Sequence, residues 1–386
     1  MTIPNNIPQG YKMTSLGIIP QEWEVKRLGN ICSHFKSGES ITSKDISENG
    51  KYPVYGGNGL RGYSAKYTHD GSYILIGRQG ALCGNINYVE GKSYISEHAI
   101  AVQTTEDLSW LRYKLDFWNL NRYSESSAQP GLSVAKLIRY KLSVPPLAEQ
   151  QKIAEVLGTW DKAIEKQTQL IKKLELRKKG LMQQLLTGKK RMLGFFGPWK
   201  KVRLKEIFIE GSKIPVDSTS RYKKISIGLY KKGISYVDDN KVKADIRPFY
   251  VREKGEIIIG KQNYFNGSIA IVNDKFDGTI CSNAIMSFRV KNLFNLKFIY
   301  EAISQPDYLK KREMKANGTG QKELSEKDFL NFDIVVPSFE EQIAIAQILT
   351  AADREIELEQ QKLELLRQQK RGLMQQLLTG KKRVKI

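Results

Sequence analysis

GLMQQLLTGKKR occupies Gly180–Arg191 and returns at Gly372–Arg383, each time closing a long helical pattern. The chain is therefore one unit written twice. Working outward, residue i of the first half matches residue i+192 through the whole preceding stretch: Pro145 faces Pro337, Glu149-Gln150 faces Glu341-Gln342, Ile153 faces Ile345, Leu157 faces Leu349, Asp161 faces Asp353 and Leu174 faces Leu366. The same register reaches back to Gln129 and Gln321, and to Leu132-Ser133 and Leu324-Ser325. Further upstream the offset changes. Trp23, Arg27 and Leu28 fall on Trp199, Arg203 and Leu204; ILIGRQ (74–79) resembles IIIGKQ (257–262); His98-Ala99-Ile100 corresponds to Asn283-Ala284-Ile285. A shared frame with connecting loops of different length is what two sites of different specificity need.

The helical stretches run from 147 to about 189 and from 339 onward. Apolar residues recur at alternating spacings of four and three: Ile153, Leu157, Trp160, Ile164, Ile171, Leu174, Leu181 and Leu185 in the first copy, Ile345, Leu349, Ile356, Leu363, Leu366, Leu373 and Leu377 in the second. This is a heptad seam, interrupted at the same two layers in both copies, by Gln167 and Lys178 and by Glu359 and Lys370. A helix of about forty residues is roughly 60 Å long and cannot bury such a seam alone. The partner is the other copy. Either orientation is topologically possible, and equivalence of the halves about a pseudo-twofold requires the antiparallel one. The expected register sets Ile153 on Leu377, Leu157 on Leu373, Ile164 on Leu366, Leu174 on Ile356 and Leu181 on Leu349. It also puts Gln167 on Leu363, Glu359 on Ile171, Lys370 beside Trp160 and Lys178 beside Ala352. Gly188 and Gly380 read as helix stops. The Lys-Lys-Arg after each reads equally as a complement to the helix dipole or as a phosphate contact.

Four segments follow: domains at 1–146 and 192–338, helices at 147–191 and 339–386. Both domains read as mixed α and β, with short β-rich runs (SYILIG, 72–77; EIIIG, 256–260; SIAIV, 268–272) among Gly- and Asn-rich turns. One helical pattern lies near the end of each, at 107–120 and 296–314, followed by a polar loop at 124–133 or 315–325. The fold class is α+β: two pseudo-symmetric mixed α/β domains joined by two long helices forming an antiparallel coiled coil.

Lys and Arg number 62 against 41 Asp and Glu, a net charge of +21. The excess is +4 over 1–146, +6 over 147–191, +9 over 192–338 and +2 over 339–386. No single tail carries it, which fits a polyanion lying along the molecule. Cys32, Cys83 and Cys281 lack metal or redox spacing, and His34, His69 and His98 form no ligand cluster, so none receives a chemical role. No apolar run is long enough to span a membrane, and the polar, proline-broken start carries no signal peptide, so the expected location is the cytoplasm with no membrane contact.

Enzyme motifs fail in context. Gly57-Asn58-Gly59-Leu60-Arg61-Gly62 matches G-x-G-x-x-G after a strand-like KYPVY, but no helix follows it and no acidic residue lies about 20 positions on. A tight glycine turn accounts for it better. Gly91-Lys92-Ser93 lacks the upstream glycine of a phosphate loop, and Pro145-Pro146 lacks the flanking residues of an amino-methyltransferase site. The chain reads as non-catalytic, with no metal site.

The order of variable domain, helix, variable domain, helix resembles the specificity subunit of type I restriction–modification systems. W-x-x-x-R-L opening each domain, the proline followed by EQ-x-x-I-A, and the LMQQLLTGKKR helix endings carry the resemblance over nearly the whole chain. It implies two target-recognition domains that each read half of a split, asymmetric site in double-stranded DNA. It also implies a coiled coil that sets the spacer and docks two methyltransferase (M) subunits, with motor–nuclease restriction (R) subunits joining them. S-adenosylmethionine would then belong to the methyltransferase, ATP and Mg to the motor–nuclease, and no cofactor to this chain. Half-sites about 34–36 Å apart would present one face of the duplex to both domains.

Base and phosphate contacts are expected from basic and amide side chains of the divergent loops, because Arg suits guanine and Asn or Gln suits adenine. In the first domain these are Lys36, Arg61, Tyr63, Arg78, Gln79, Ser127 and Gln129. In the second they are Arg221, Lys223, Lys224, Lys231, Lys261, Gln262, Asn263, Tyr264, Thr319 and Gln321. The competing reading is a non-specific, basic coiled-coil architectural DNA-binding protein, which would call for similar loops in both halves.

Overall fold

A computed structural model describes residues 7–80, 82–124, 131–238, 247–315 and 323–385. Contacts divide the chain into two compact units, Met1–Thr168 with Gln361–Ile386, and Gln169–Gln360. The division falls within the two long helices, so each unit holds one globular domain, part of one helix and the complementary part of the other.

In the first unit a four-stranded antiparallel sheet runs His34–Ser37, Ala99–Gln103, Tyr73–Gly77, Ile86–Val89 in spatial order. Its central strands, AIAVQ and YILIG, are apolar at almost every position, which means both faces are covered. Alternate side chains do divide between two cores, as the period of a strand requires. Ile74, Ile76, Ile100 and Val102 join Trp23, Trp110 and the long helices; Tyr73, Leu75, Ala99 and Ala101 pack beneath Tyr55. The second unit repeats this frame with Phe208–Glu210, Ile285–Val290, Ile257–Gly260 and Ile269–Ile271. There Ile257 and Ile259 face the main core while Ile258 and Ala270 face the smaller one.

A two-stranded ribbon ties each domain's opening motif to the segment before its proline: Glu24–Arg27 with Lys141–Val144, and Lys200–Arg203 with Asp333–Val336. The parts outside this frame differ. The first unit carries a three-stranded sheet of Gly59–Ser64, Tyr52–Gly56 and Tyr94–Ile95, whereas the second carries two strand pairs, Phe249–Arg252 with Thr279–Ser282 and Ile225–Ile227 with Ile234–Tyr236, joined among the described residues by a single parallel bridge between Lys224 and Ile280. The G-x-G-x-x-G segment is the hairpin between Tyr52–Gly56 and Gly59–Ser64, with Gly56 opposite Gly59.

Helix Leu108–Phe117 is capped by Asp107, whose carboxylate accepts from Trp110 N at 2.7 Å. Its counterpart begins the same way on Asn295, but the single helix expected at 296–314 is two, Leu296–Ile303 and Pro306–Lys315. Pro306 has no N–H to donate and disfavours a helical residue before it, so it ends one helix and opens the next.

The long helices span Leu147–Leu185 and Phe339–Leu377, 39 residues each. Ile153, Leu157 and Leu377 are buried in the core of the first unit with Leu373 against it; Leu185, Ile345 and Leu349 are buried in that of the second with Leu181 against it. Between these ends Ile171, Leu174 and Leu363 are buried, while Trp160, Ile164, Ile356 and Leu366 are half-buried. The seam lysines find carboxylates one position from the partners assigned by spacing. Lys370 Nζ meets Asp161 Oδ1 at 2.5 Å, and Lys178 pairs with Asp353. Within each unit the partner number falls as the first rises: Glu149 and Asp161 meet Arg383 and Lys370, and Lys178 and Arg191 meet Asp353 and Glu341. The two helices are therefore antiparallel.

Candidate nucleic-acid interface

Both domains end their second central strand on glycine and then present a cation and a glutamine: Gly77-Arg78-Gln79 and Gly260-Lys261-Gln262. The backbone around these residues is built alike. Arg78 N donates to His98 O at 2.9 Å and Arg78 O accepts from Leu132 N at 2.9 Å; Lys261 N donates to Ala284 O at 3.0 Å and Lys261 O accepts from Leu324 N at 2.9 Å. Leu132 and Leu324, at corresponding positions, are thereby pinned beside the strand ends.

In the first domain the Gly57-Asn58 turn lies directly on this junction. A Cβ on Gly57 would fall 2.7 Å from His98 O and 3.5 Å from Arg78 N, so glycine is required by close approach. Gln79 Oε1 and His98 Nδ1 lie 3.2 Å apart, and Arg78 Nη1 donates to Glu97 O at 3.4 Å. Arg61 is exposed on the strand that leaves the same turn, with Tyr63 half-buried two residues on. Arg61, Arg78, Gln79 and His98 thus gather around one glycine turn, while Lys36 is exposed on the edge strand His34–Ser37. His98 was not among the residues expected from sequence. Its correspondence with Asn283 was the available signal.

In the second domain Lys261 is half-buried, 4.0 Å from Glu326, and Gln262 is exposed. Asn263 is half-buried, its Oδ1 accepting from Asn266 Nδ2 at 3.4 Å. Arg221 and Lys223 are exposed, Lys223 lying 5.2 Å from the Tyr236 ring, and Lys224 is half-buried 5.7 Å from the Phe249 ring. One expectation fails here. Tyr264 is wholly buried, its ring edge-on to Phe329 and its hydroxyl donating to Ile303 O at 2.8 Å, so it is a core residue and reaches no ligand. Lys231 is half-buried and donates to the buried Glu301 at 2.9 Å. Ser127, Gln129, Thr319 and Gln321 lie outside the described residues.

The ionic groups near the helices serve architecture. Burial opposes ionisation of Glu301, but Lys231, Lys297 and Lys178 surround it and hold its carboxyl down at about 2. Glu149 is fully buried and accepts from Trp23 Nε1 at 2.9 Å, from Arg383 Nε at 2.6 Å and from Arg383 Nη2 at 2.8 Å. Glu341 takes Arg191 in the same forked way, at 2.8 and 2.7 Å. The neighbouring glutamines bridge as well: Gln150 links Pro145 O to Asp107 N, and Gln342 links Pro337 O to Asn295 N. So the Glu-Gln pair after each proline anchors its domain, and the last residue of each Lys-Lys-Arg triplet is its clasp. Neither the dipole nor the phosphate account of that arginine describes it.

Among the described residues no group of three or more His, Cys, Asp or Glu is placed to hold a metal, and no helix is long and apolar enough to cross a membrane.

A duplicated frame with unlike peripheries and a cation–glutamine pair at each strand end defines a two-domain recognition scaffold. The type I restriction modification DNA specificity domain matches twice, at residues 20–176 and 197–368. The EcoprrI type I specificity subunit of Escherichia coli is 42% identical over 146 residues, a match spanning 36% of each chain. The MjaVIII specificity subunit of Methanocaldococcus jannaschii is 25% identical over 411 residues, covering 95% of this chain and 94% of that one. The fold is shared with the S subunit of the M. genitalium type I system, with a TM-score of 0.59 at 17% identity over 98% of both chains. The chain belongs to the type I restriction–modification specificity subunits.

Proposed function

We propose that this subunit reads a split, asymmetric DNA site, one half through each domain, and contributes no catalytic group itself. The observation that carries this is the contrast between a frame repeated strand for strand and a periphery that is not. The first domain dresses its strand end with a three-stranded sheet and the Gly57 turn, and the second with two strand pairs that meet at the Lys224–Ile280 bridge. Identical readers would need no such difference. Arg61, Arg78, Gln79 and His98 supply donors and acceptors for base edges in one half; Lys261, Gln262 and Asn283 supply them in the other, with Lys36, Arg221, Lys223 and Lys224 available to phosphates.

The continuous 39-residue helices, about 58 Å each at 1.5 Å per residue, suit a spacer that fixes half-site separation and a platform for two methyltransferase subunits. Adenine methylation with S-adenosylmethionine would then take place in that partner, and ATP- and Mg-dependent cleavage in motor–nuclease subunits, within the cytoplasm. Mapping methylated adenine in a methylation-free host that expresses this chain with its methyltransferase tests the reading. A split motif that loses one half on deletion of residues 192–338 is expected; methylation no different from the methyltransferase alone would sink it.

A further inference from the structure

A cavity of about 540 Å³ opens beside Lys261 and Asn283 in the second domain, between the strand end and the segment that carries Ser325 and Glu326. Its wall includes Arg252, which is only 3% exposed. The guanidinium donates to Cys281 Sγ at 3.0 Å, to Ser212 O at 3.2 Å, to Val251 O at 3.3 Å and to Ile285 O at 3.5 Å. All four acceptors are neutral. Among the described residues Arg252 has no carboxylate partner: buried Glu256 is turned to Ser287 at 2.8 Å and to Arg289 at 3.4 Å, and Glu326 to Lys213 and Lys261.

A buried cation without a counter-ion is costly unless something supplies the charge. The cavity's wall carries Lys213, Arg252 and Lys261 with Glu323 and Glu326; Lys213 is shared between Glu326 and Glu210 and Lys261 faces Glu326, so among the described residues Arg252 is the wall cation without an ion pair. Ser212, whose Oγ accepts from Ile214 N, adds a hydroxyl donor. A guanidinium whose acceptors are all neutral, with an N–H to spare on Nη2, and the Ser212 hydroxyl suit a monoanionic phosphodiester better than a base, which would need no cation. The position argues the same way, because Lys261 and Asn283 belong to the strand-end junction that both domains share.

We propose that this cavity is a phosphate seat, in which Arg252 holds one backbone phosphate of the DNA read by the second domain. The seat follows from the cavity itself; DNA as the source of the phosphate rests on the function proposed above. In the first domain position 69, which aligns with Arg252 in the ILIGRQ/IIIGKQ register, is a histidine set among aromatic rings. The two halves would therefore grip the backbone differently.

The test uses the chain assembled with its methyltransferase subunits on its mapped site, with single methylphosphonates placed along the second half-site. Arg252→Gln is expected to weaken binding roughly ten- to hundredfold and to make log K against log salt shallower by about 0.9, one phosphate contact. One methylphosphonate position that weakens the wild type should cost the variant nothing more. Should Arg252→Gln not fold, Lys261→Gln on the half-buried rim carries the same coupling test. If coupling is absent but inorganic phosphate raises the Tm of the DNA-free wild-type complex and not of the variant, the seat stands and its occupant is a free anion. Unchanged salt slope, no coupled position and no phosphate effect together overturn the proposal. Loss of all site-specific binding by the wild type would instead refute the recognition function.

Discussion

Arg383 closes a forked ion pair on Glu149 across 234 positions of sequence, at 2.6 and 2.8 Å, with the indole of Trp23 on the same carboxylate at 2.9 Å. Glu149 is fully buried and the arginine about one-third exposed. Arg383→Ala leaves a buried carboxylate with the indole as its remaining partner, and removing one member of such a pair costs about 3 kcal/mol. Thermal melts of the full chain should show Tm lowered by several degrees, with Arg383→Lys recovering only part because a single ammonium cannot fork. An unchanged Tm would mean that the pair contributes nothing net.

Lys114 is buried and donates to Ser143 Oγ and to Leu378 O at the end of the second long helix; burial pushes its ammonium down to about 7. Between that value and an ordinary lysine value near 10.4 the unfolded chain holds the extra proton, so stability rises with pH across this window and is flat for this group below it. Denaturant unfolding from pH 7 to 10 should show the rise, and Lys114→Met should remove its share. Equal slopes in both proteins would exclude the lysine as the source.

Leu157 and Leu373 pack on the same core of the first unit, from opposite helices. The double substitution Leu157→Cys and Leu373→Cys is expected to oxidise within one chain to a disulfide visible as a faster-migrating band on non-reducing gels. A residual free-thiol count equal to that of the reduced protein would rule out this register.

Arg78 sits at the junction of the Gly57 turn, His98 and the closing loop of the first domain. Arg78→Ala should relax or abolish one half of the methylated motif and leave the other half intact, at about 1–3 kcal/mol per base pair no longer discriminated. Sequencing of methylated sites decides it: an unaltered motif removes Arg78 from base readout.

Periodic features of this fold were legible because their cause is local. The duplicated register gave the seam and the antiparallel pairing, and the apolar runs at 74–77 and 257–259 marked central strands. Features that depend on a distant partner were not. Nothing beside Arg191 or Arg383 says that each reaches a buried glutamate on the other helix, and Tyr264 follows Lys261-Gln262-Asn263 in a stretch that reads as polar although its ring turns under Phe329. The break at Pro306 could have been anticipated, since proline cannot donate inside a helix. The shared positions His98 and Asn283 were visible in the alignment of the halves, but only the strand-end geometry gives them a reason to matter.

The forked Arg–Glu pair recurs in both units on residues of the repeated framework, Arg383 with Glu149 and Arg191 with Glu341, and Arg383 adds Glu22. Nothing in the unlike peripheral sheets takes part in it. Each domain is thus mounted on a standard fitting, and its peripheral sheets can diverge without the mount being redesigned.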